Sequence, residues 1–297
     1  MKKVKNIIII AAFLLAGAAQ LNAQGIVVYK TDGTKVYFPA EEVEKVGTYD
    51  YGEDPQPEPG TGETKTYTAN GVSFTMVGVE GGIFQMGSTD GESDEKPVHE
   101  VKVSSFSIGQ TEVTQELWEA VMGSNPSNFK GSKLPVEKVS WNDCQTFITK
   151  LNSITGQTFR LPTEAEWEFA ARGGNSSKGY KYSGSDNIDD VAWYWGSIPS
   201  QTSGITGYGT QPVATKAPNE LGIYDMTGNV CEWCQDRYGS DYYSSSVINN
   251  PTGPTSGSDR VYRGGSWGGN AAHCRVAYRF GNTPTGTGYH LGFRLAL

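Results

Sequence analysis

Arg160-Leu161-Pro162-Thr163-Glu164-Ala165-Glu166-Trp167-Glu168 is the stretch that decides how this chain folds. Thr163 followed three residues later by Glu166 is a capping box, in which each side chain takes up an orphan N–H of a helix start. Trp167 and Ala170 then share a face, so a short helix with an inward tryptophan is predicted, ending by Gly173. Upstream, Ser140 opens a second helix with Cys144, Phe147, Ile148 and Leu151 at i, i+3, i+4 and i+7. Thr114 caps a third, which carries Val113, Leu117 and Val121 near one face and stops at Gly123. Earlier still, Val72–Met76 and Gly82–Met86 read as strands. After Gly173 the chain is mostly Gly, Ser, Tyr and Asn, and loops this long in a compact domain are usually functional. With 38 Gly, 16 Tyr and 7 Trp, the expected class is α+β, irregular and loop-rich, with aromatic anchors.

The first residues read as a cleaved leader, 1–23. Lys2, Lys3 and Lys5 precede an apolar run from Ile7 to Leu15, and Leu21-Asn22-Ala23 offers a cleavage site near Ala23. The run is too short for a stable span and no later segment is longer, so a secreted, periplasmic or cell-surface location without a membrane span is expected. No Cys follows the leader to take a lipid. Residues 24–50 form a small β-hairpin module. Ile26–Tyr29 and Val36–Phe38 flank Thr31-Asp32-Gly33-Thr34, and Asp-Gly between such runs is a strong hairpin signal. Residues 51–65, with Asp54-Pro55-Gln56-Pro57-Glu58-Pro59-Gly60, read as a Pro-rich linker, and 66–297 as the main domain. The net charge of −8 deepens to −11 once the three leader lysines are removed, so nucleic acid is not an expected partner.

Seven more segments join the one at 160–168. They are Gly82-Ile83-Phe84-Gln85-Met86-Gly87-Ser88, Pro97-Val98-His99-Glu100-Val101, Glu112-Val113-Thr114, Val139-Ser140-Trp141-Asn142-Asp143, Gly228-Asn229-Val230-Cys231-Glu232-Trp233, Arg263-Gly264-Gly265-Ser266-Trp267 and Leu291-Gly292-Phe293-Arg294. In this order and spacing they resemble the formylglycine-generating-enzyme (sulfatase-modifying factor) family, over roughly residues 67–297. The resemblance implies a C-type-lectin-like fold with a small twisted sheet. Arg160, Arg263, Arg275, Arg279 and Arg294 face an abundance of acids, and we expect them to hold the framework by bidentate pairs.

The resemblance also implies calcium at Asp225, Gly228, Val230 and Glu232, two carboxylates and two carbonyls within one turn-rich segment. A second family calcium site is not carried over, because Ala192-Trp193-Tyr194 departs from its pattern. The family's enzymes oxidise a substrate cysteine with Cu(I) held by a C-x4-C pair. Here Gly269 falls on the first position and Cys274 on the second, and Cys231 replaces a tryptophan near the oxygen site. One thiolate cannot make a two-sulfur site, so copper is not expected, and Cys274 is a catalytic residue only in an oxidase with an altered metal site. The iron-dependent branch is set aside because His99, His273 and His290 are scattered. Among the three pairings four cysteines allow, Cys234 with Cys274 is favoured, with Cys144–Cys231 completing the set. The Cys231-Glu232-Trp233-Cys234 run lacks a thioredoxin-like βαβ context, one close pair is too few for zinc, and no nucleophile elbow is present.

Residues 268–290 mix small, amide and aromatic side chains, as adaptable binding surfaces do. Gly268, Gly269, Asn270, His273, Tyr278, Phe280, Tyr289 and His290 are the expected binding loop, for a protein or glycan ligand. Trp193, Tyr194, Trp195 and Trp267 are candidate neighbours, Trp267 with a core role. The segment also resembles the variable stretch of lectin-fold proteins diversified by retroelements. The expected function is a non-catalytic binding scaffold; an altered oxidase and a diversified binder or envelope-assembly component are the alternatives.

Overall fold

A computed structural model describes residues 62–297 throughout and, before them, the backbone of five short strands. The chain divides into two compact units, 1–57 and 58–297. In the first, β2 (Ala19–Asn22), β3 (Gly25–Tyr29) and β4 (Lys35–Pro39) form an antiparallel sheet, and β1 (Ile10–Ala11) pairs in parallel with β5 (Thr48–Tyr49). Ile26 opposes Phe38 and Val28 opposes Val36, as the hairpin pattern requires. The Asp32-Gly33 turn, most of the leader and nearly all of the Pro-rich linker lie outside the described residues.

In the second unit, β6 (Thr64–Ala69), β7 (Val72–Val79) and β10 (Phe106–Gly109) form one antiparallel sheet in the order β10-β7-β6. β6 corrects the linker's end. Thr64 and Lys65 are already paired with Val77 and Met76, because the alternation of β7 offers them a register that composition alone does not reveal. β8 (Gly82–Met86) and β9 (His99–Val103) make a separate hairpin. The third sheet, β13-β12-β11-β14, joins β11 (Cys231–Arg237), β12 (Arg260–Arg263), β13 (Arg279–Asn282) and β14 (Leu291–Gly292). The last residues sew the molecule shut: the amides of Ser107, Gly109, Val113 and Arg160 donate to the carbonyls of Leu297, Leu295, Phe293 and Ala296.

The helices start where their caps dictate. Thr114 accepts from the Leu117 amide at the head of α1 (Gln115–Met122), and Gly123 ends it in the left-handed region at φ 79°. Reciprocal capping boxes open α2 (Trp141–Thr155) at Ser140 and Asp143, and α3 (Glu164–Ala171) at Thr163 and Glu166. A single turn, α4 (Ile188–Val191), follows in the long connection. α1 and α2 pack one core, where Trp118 stacks on Phe147 at 5.1 Å and both meet Phe293. α3 packs another, burying Trp167 and Phe169 against Val77, Met86, Val101 and Val261.

A buried charged network ties α3 to the strands. Glu164 receives Nε and Nη2 of Arg279 at 2.6 and 2.7 Å and Nη1 of Arg263 at 2.9 Å. Glu168 receives Arg172, Arg263 and the Gly87 amide. Glu232 on β11 receives Arg294 through two bonds of 2.6 Å and the Trp167 indole N–H at 2.6 Å. Arg263, Arg294, Glu168 and Glu232 are wholly inaccessible to solvent. Burial pushes Glu164 and Glu168 toward protonation, but the guanidiniums of Arg279 and Arg263 on one, and of Arg172 and Arg263 on the other, hold both below the usual carboxylate range.

Removing one member strands its partners' charge in the interior. Arg263→Met is expected to cost about 3–5 kcal/mol in denaturant unfolding. The sign of the pH dependence follows from the lowered carboxylates. Their stabilisation is present above the ordinary carboxyl pKa and is lost as pH falls through the folded values. Wild-type stability should therefore drop steeply in acid, and the dependence should be flatter in Arg263→Met.

Candidate functional site

β12 ends at Arg263, and the chain turns sharply through Gly264 and Gly265, at φ 94° and 70°. The second glycine is also a matter of space: a Cβ there would lie 2.6 Å from the Cys274 sulfur and 2.8 Å from the His273 carbonyl. Past the turn, Trp267 donates its amide to Asn229 O (2.8 Å) and its indole N–H to Tyr289 O (2.9 Å). The turn closes with the Gly269 amide on Ser266 O, and Asn270 caps the short 3-10 helix Ala271–Cys274.

These constraints shape a cavity of about 340 Å3, lined by Cys231, Tyr262, Gly265, Ser266, Trp267, Gly268, Gly269, His273, Phe280, Tyr289 and His290. Six of the eight residues expected in the binding loop are among them. The other two stand beside it: Asn270 as the cap, and Tyr278 with its ring 4.6 Å from Phe280 and 5.0 Å from His273. Phe280 lies flat on Tyr262 at 4.8 Å. Trp267 is braced edge-on by Tyr208 and Phe129 at 4.9 and 5.2 Å, so it is both core residue and cavity wall. Tyr289 is 53% exposed with the Lys138 ammonium 5.7 Å from its ring centre, and Trp195, 41% exposed, is held nearby by its amide on Gly269 O. Burial keeps His290 toward its neutral form. Trp193 and Tyr194 are taken up within the chain, by Thr215 and Lys216 and by Asp189.

The cysteine expectations need correction. All four are buried free thiols. Cys234 packs with Trp167, Val261 and Val276, and Cys274 packs with Tyr182, Ile188, Val191 and Ala192; the expected Cys234–Cys274 bond is not formed. Cys144 and Cys231 share the other core, also as free thiols. The reason is strand alternation. Cys231 and Cys234 are three apart on β11 and project to opposite faces, so the C-x-x-C run is not a redox pair. Cys231 instead lines the cavity, opposite the Gly264–Gly265 turn against which Cys274 packs. The Gly265 amide and the Ser266 hydroxyl face its sulfur, and the Ser266 amide faces that of Cys274. A second thiol therefore stands on the turn that carries the expected Cys274. Both thiols are kept protonated by burial, Cys274 with its pKa pushed up to about 12. The sequence signal for this placement was the replacement by Cys231 of a tryptophan near the family's oxygen site.

The four residues assigned to calcium are otherwise engaged. Both oxygens of Glu232 are taken by Arg294 and Trp167, and Asp225 accepts the Ala214 amide at 2.7 Å. The Val230 amide and the Asn229 side chain bind Glu112, a buried acid the sequence reading missed. Gly228 turns at φ 84°, where a Cβ would sit 2.3 Å from the Trp193 carbonyl. A calcium ion at these positions would compete with the buried Arg294 guanidinium for Glu232. Among the described residues no group of three or more His, Cys, Asp or Glu converges as a metal site.

With this geometry in view, the comparisons are direct. Residues 62–297 match the family model for the Sulfatase-modifying factor enzyme 1-like domain. The chain belongs to this family. It is 35% identical to the Chaperone protein LppX of Paenibacillus barcinonensis, over 75% of this chain and 89% of that protein. It is 32% identical to the Formylglycine-generating enzyme of Streptomyces coelicolor, over 74% and 88%. It is 33% identical to the Serine/threonine-protein kinase pkn1 of Chlamydia pneumoniae, but spans only 39% of that protein's length. Among solved structures, Treponema denticola variable protein 1 superposes with a TM-score of 0.69 at 37% identity, over 78% of this chain and 98% of that one. The irregular, loop-rich α+β fold expected of the family is the fold observed.

Asp225 and Glu112 are raised above the usual carboxylate range, first by burial and then by the negative charges around them, Asp225 to about 6. A raised acid favours folding only while protonated. Its contribution is largest below the unfolded value and is lost as pH rises through the folded one. Asp225→Asn keeps the amide acceptor and tolerates φ 57°, so it should stabilise the chain by about 1–3 kcal/mol at pH 8 and by almost nothing at pH 4. A melting series across pH checks this.

Proposed function

We propose that the chain is a non-catalytic, exported member of the sulfatase-modifying factor family that binds a protein or glycan ligand at the cavity beneath Trp267. One observation carries this: the aromatic and small residues of 268–290 gather around a single apolar cavity, on a scaffold fixed by buried ion pairs and by the Gly264–Gly265 turn. Rings braced from behind lose little entropy when a ligand covers them. Exposed Trp195 and Tyr289 extend the apolar surface to the rim, which suits the faces of sugars or peptide side chains. The position matching the first copper thiolate is Gly269, at the cavity wall. A structural relative bears the name variable protein, in keeping with a loop given to recognition.

The test is retention of ligands from a glycan array and a random peptide library on the full chain. Tyr289→Ala, at an exposed side chain, should leave the melting temperature within about a degree or two, and His273→Ala, at a half-buried one, within about 5 °C; both should weaken any retained ligand about tenfold or more. Ligands retained equally by both variants would overturn the assignment of the cavity.

A second reading is favoured by the nearness of Cys231 to Cys274: an oxidase whose copper pair is Cys231 and Cys274 in place of C-x4-C. Two thiolates would suit Cu(I), although here both sulfurs are buried and protonated. Aerobic incubation with Cu(I) and a sulfatase-type cysteine peptide decides it. We expect unchanged peptide by mass spectrometry; conversion of the cysteine to formylglycine would replace the binding function with the enzymatic one. Calcium at Asp225, Gly228, Val230 and Glu232 remains a separate proposal. It predicts that a chelator lowers the melting temperature and that Asp225→Ala abolishes that response.

A further inference from the structure

Apart from whatever occupies the cavity, one thiol lines it and a second packs against Gly265 in its wall. Cys231 begins β11 opposite the Gly264–Gly265 turn, since Glu232 pairs with Arg263. Cys274 ends the 3-10 helix that folds back over the same turn, with its sulfur filling the space a Cβ on Gly265 would need. Consecutive groups of one turn, the Gly265 amide and the Ser266 hydroxyl on one side and the Ser266 amide on the other, face the two sulfurs. The other two cysteines lie off this turn: Cys144 sits on α2, in the core it shares with Cys231, and Cys234 points to the opposite face of β11. Access is also unequal, because Cys231 lines the cavity and Cys144, Cys234 and Cys274 do not.

We propose that Cys231 and Cys274 form a reversible disulfide beneath the cavity, made by exchange with a small disulfide oxidant that enters through it. The Cys231 thiol gives up its proton and attacks one sulfur of the oxidant, forming a mixed disulfide and releasing one small thiol that carries that proton away. Cys274 then attacks the Cys231 sulfur and releases the second. Two thiol hydrogens and two electrons leave the protein with the two small thiols, and one S–S bond replaces two S–H bonds. The bond removes the thiol from the cavity wall. It also ties β11 to the binding loop across a segment of roughly forty residues, a closure long enough to restrict the unfolded chain substantially.

The full chain, purified reduced, is equilibrated with oxidised and reduced glutathione, denatured, alkylated and digested without reductant. The expected product is one cross-linked pair of peptides containing Cys231 and Cys274, lighter by two hydrogens, with Cys144 and Cys234 alkylated. Oxidation should raise the melting temperature by on the order of 10 °C, reversed by reductant. Cys144→Ala should retain both the cross-link and the shift, and Cys274→Ser should lose both while accumulating a glutathione adduct at Cys231. Four alkylated cysteines after oxidation, a Cys234–Cys274 link, or a glutathione adduct at Cys231 that persists in the wild type would each overturn the proposal. Peptide mapping of the wild type decides the matter even if a variant fails to fold, and its result does not depend on any ligand binding to the cavity.

Discussion

The rest of this structure depends on burying carboxylates beside guanidiniums. α3 has only eight residues, too few to be stable alone, yet it presents Glu164 and Glu168 to Arg263, Arg279 and Arg172 inside the protein. Each of these charges would be prohibitively costly alone in the interior, and each becomes tolerable only when every partner arrives. Arg263 ends β12 and Arg279 begins β13, so the same bonds that satisfy the helix also set the two strands that frame the binding loop. A second pair, Arg294 with Glu232, does this for the C-terminal segment, its other donors reaching the carbonyls of Gly109 and Tyr224. In a domain with little regular ladder, planar two-bond contacts supply the directional constraint that strands would otherwise give.

The cavity inherits its rigidity from that frame. Arg263 and Arg279 flank it in sequence without lining it, and Gly264–Gly265 carries the chain from the charged network to the aromatic wall in two residues. Long irregular loops are usually mobile. Here Trp267 pins the loop through two main-chain acceptors, Asn229 and Tyr289, and Phe280 lies on Tyr262 of the neighbouring strand. The result is an aromatic-walled cavity whose anchors are held by the main chain and by the neighbouring strand.

Local signals carried far. Each of the three longer helices begins at the cap read from Thr114, Ser140 and Thr163, because capping is settled by side chains within a few residues of the backbone they serve. The binding loop was legible because its composition is unlike a core's. The linker's end was misplaced, since Thr64 and Lys65 become strand only by pairing with β7. Glu112 was missed because its partners, Asn229 and Val230, lie more than a hundred residues away.

By itself the sequence determined the helix starts and the family framework, both consequences of short-range hydrogen bonding and residue chemistry. Only the tertiary structure decided which cysteines are neighbours and which oxygens are free. Strand alternation sends Cys231 and Cys234 to opposite faces, and the fold brings Cys274 to the first of them. Likewise Glu232 could have served a cation or a guanidinium, and Arg294, delivered by the closing C-terminal segment, occupies it. Such choices rest on long-range proximity, which the order of residues along a chain does not encode locally.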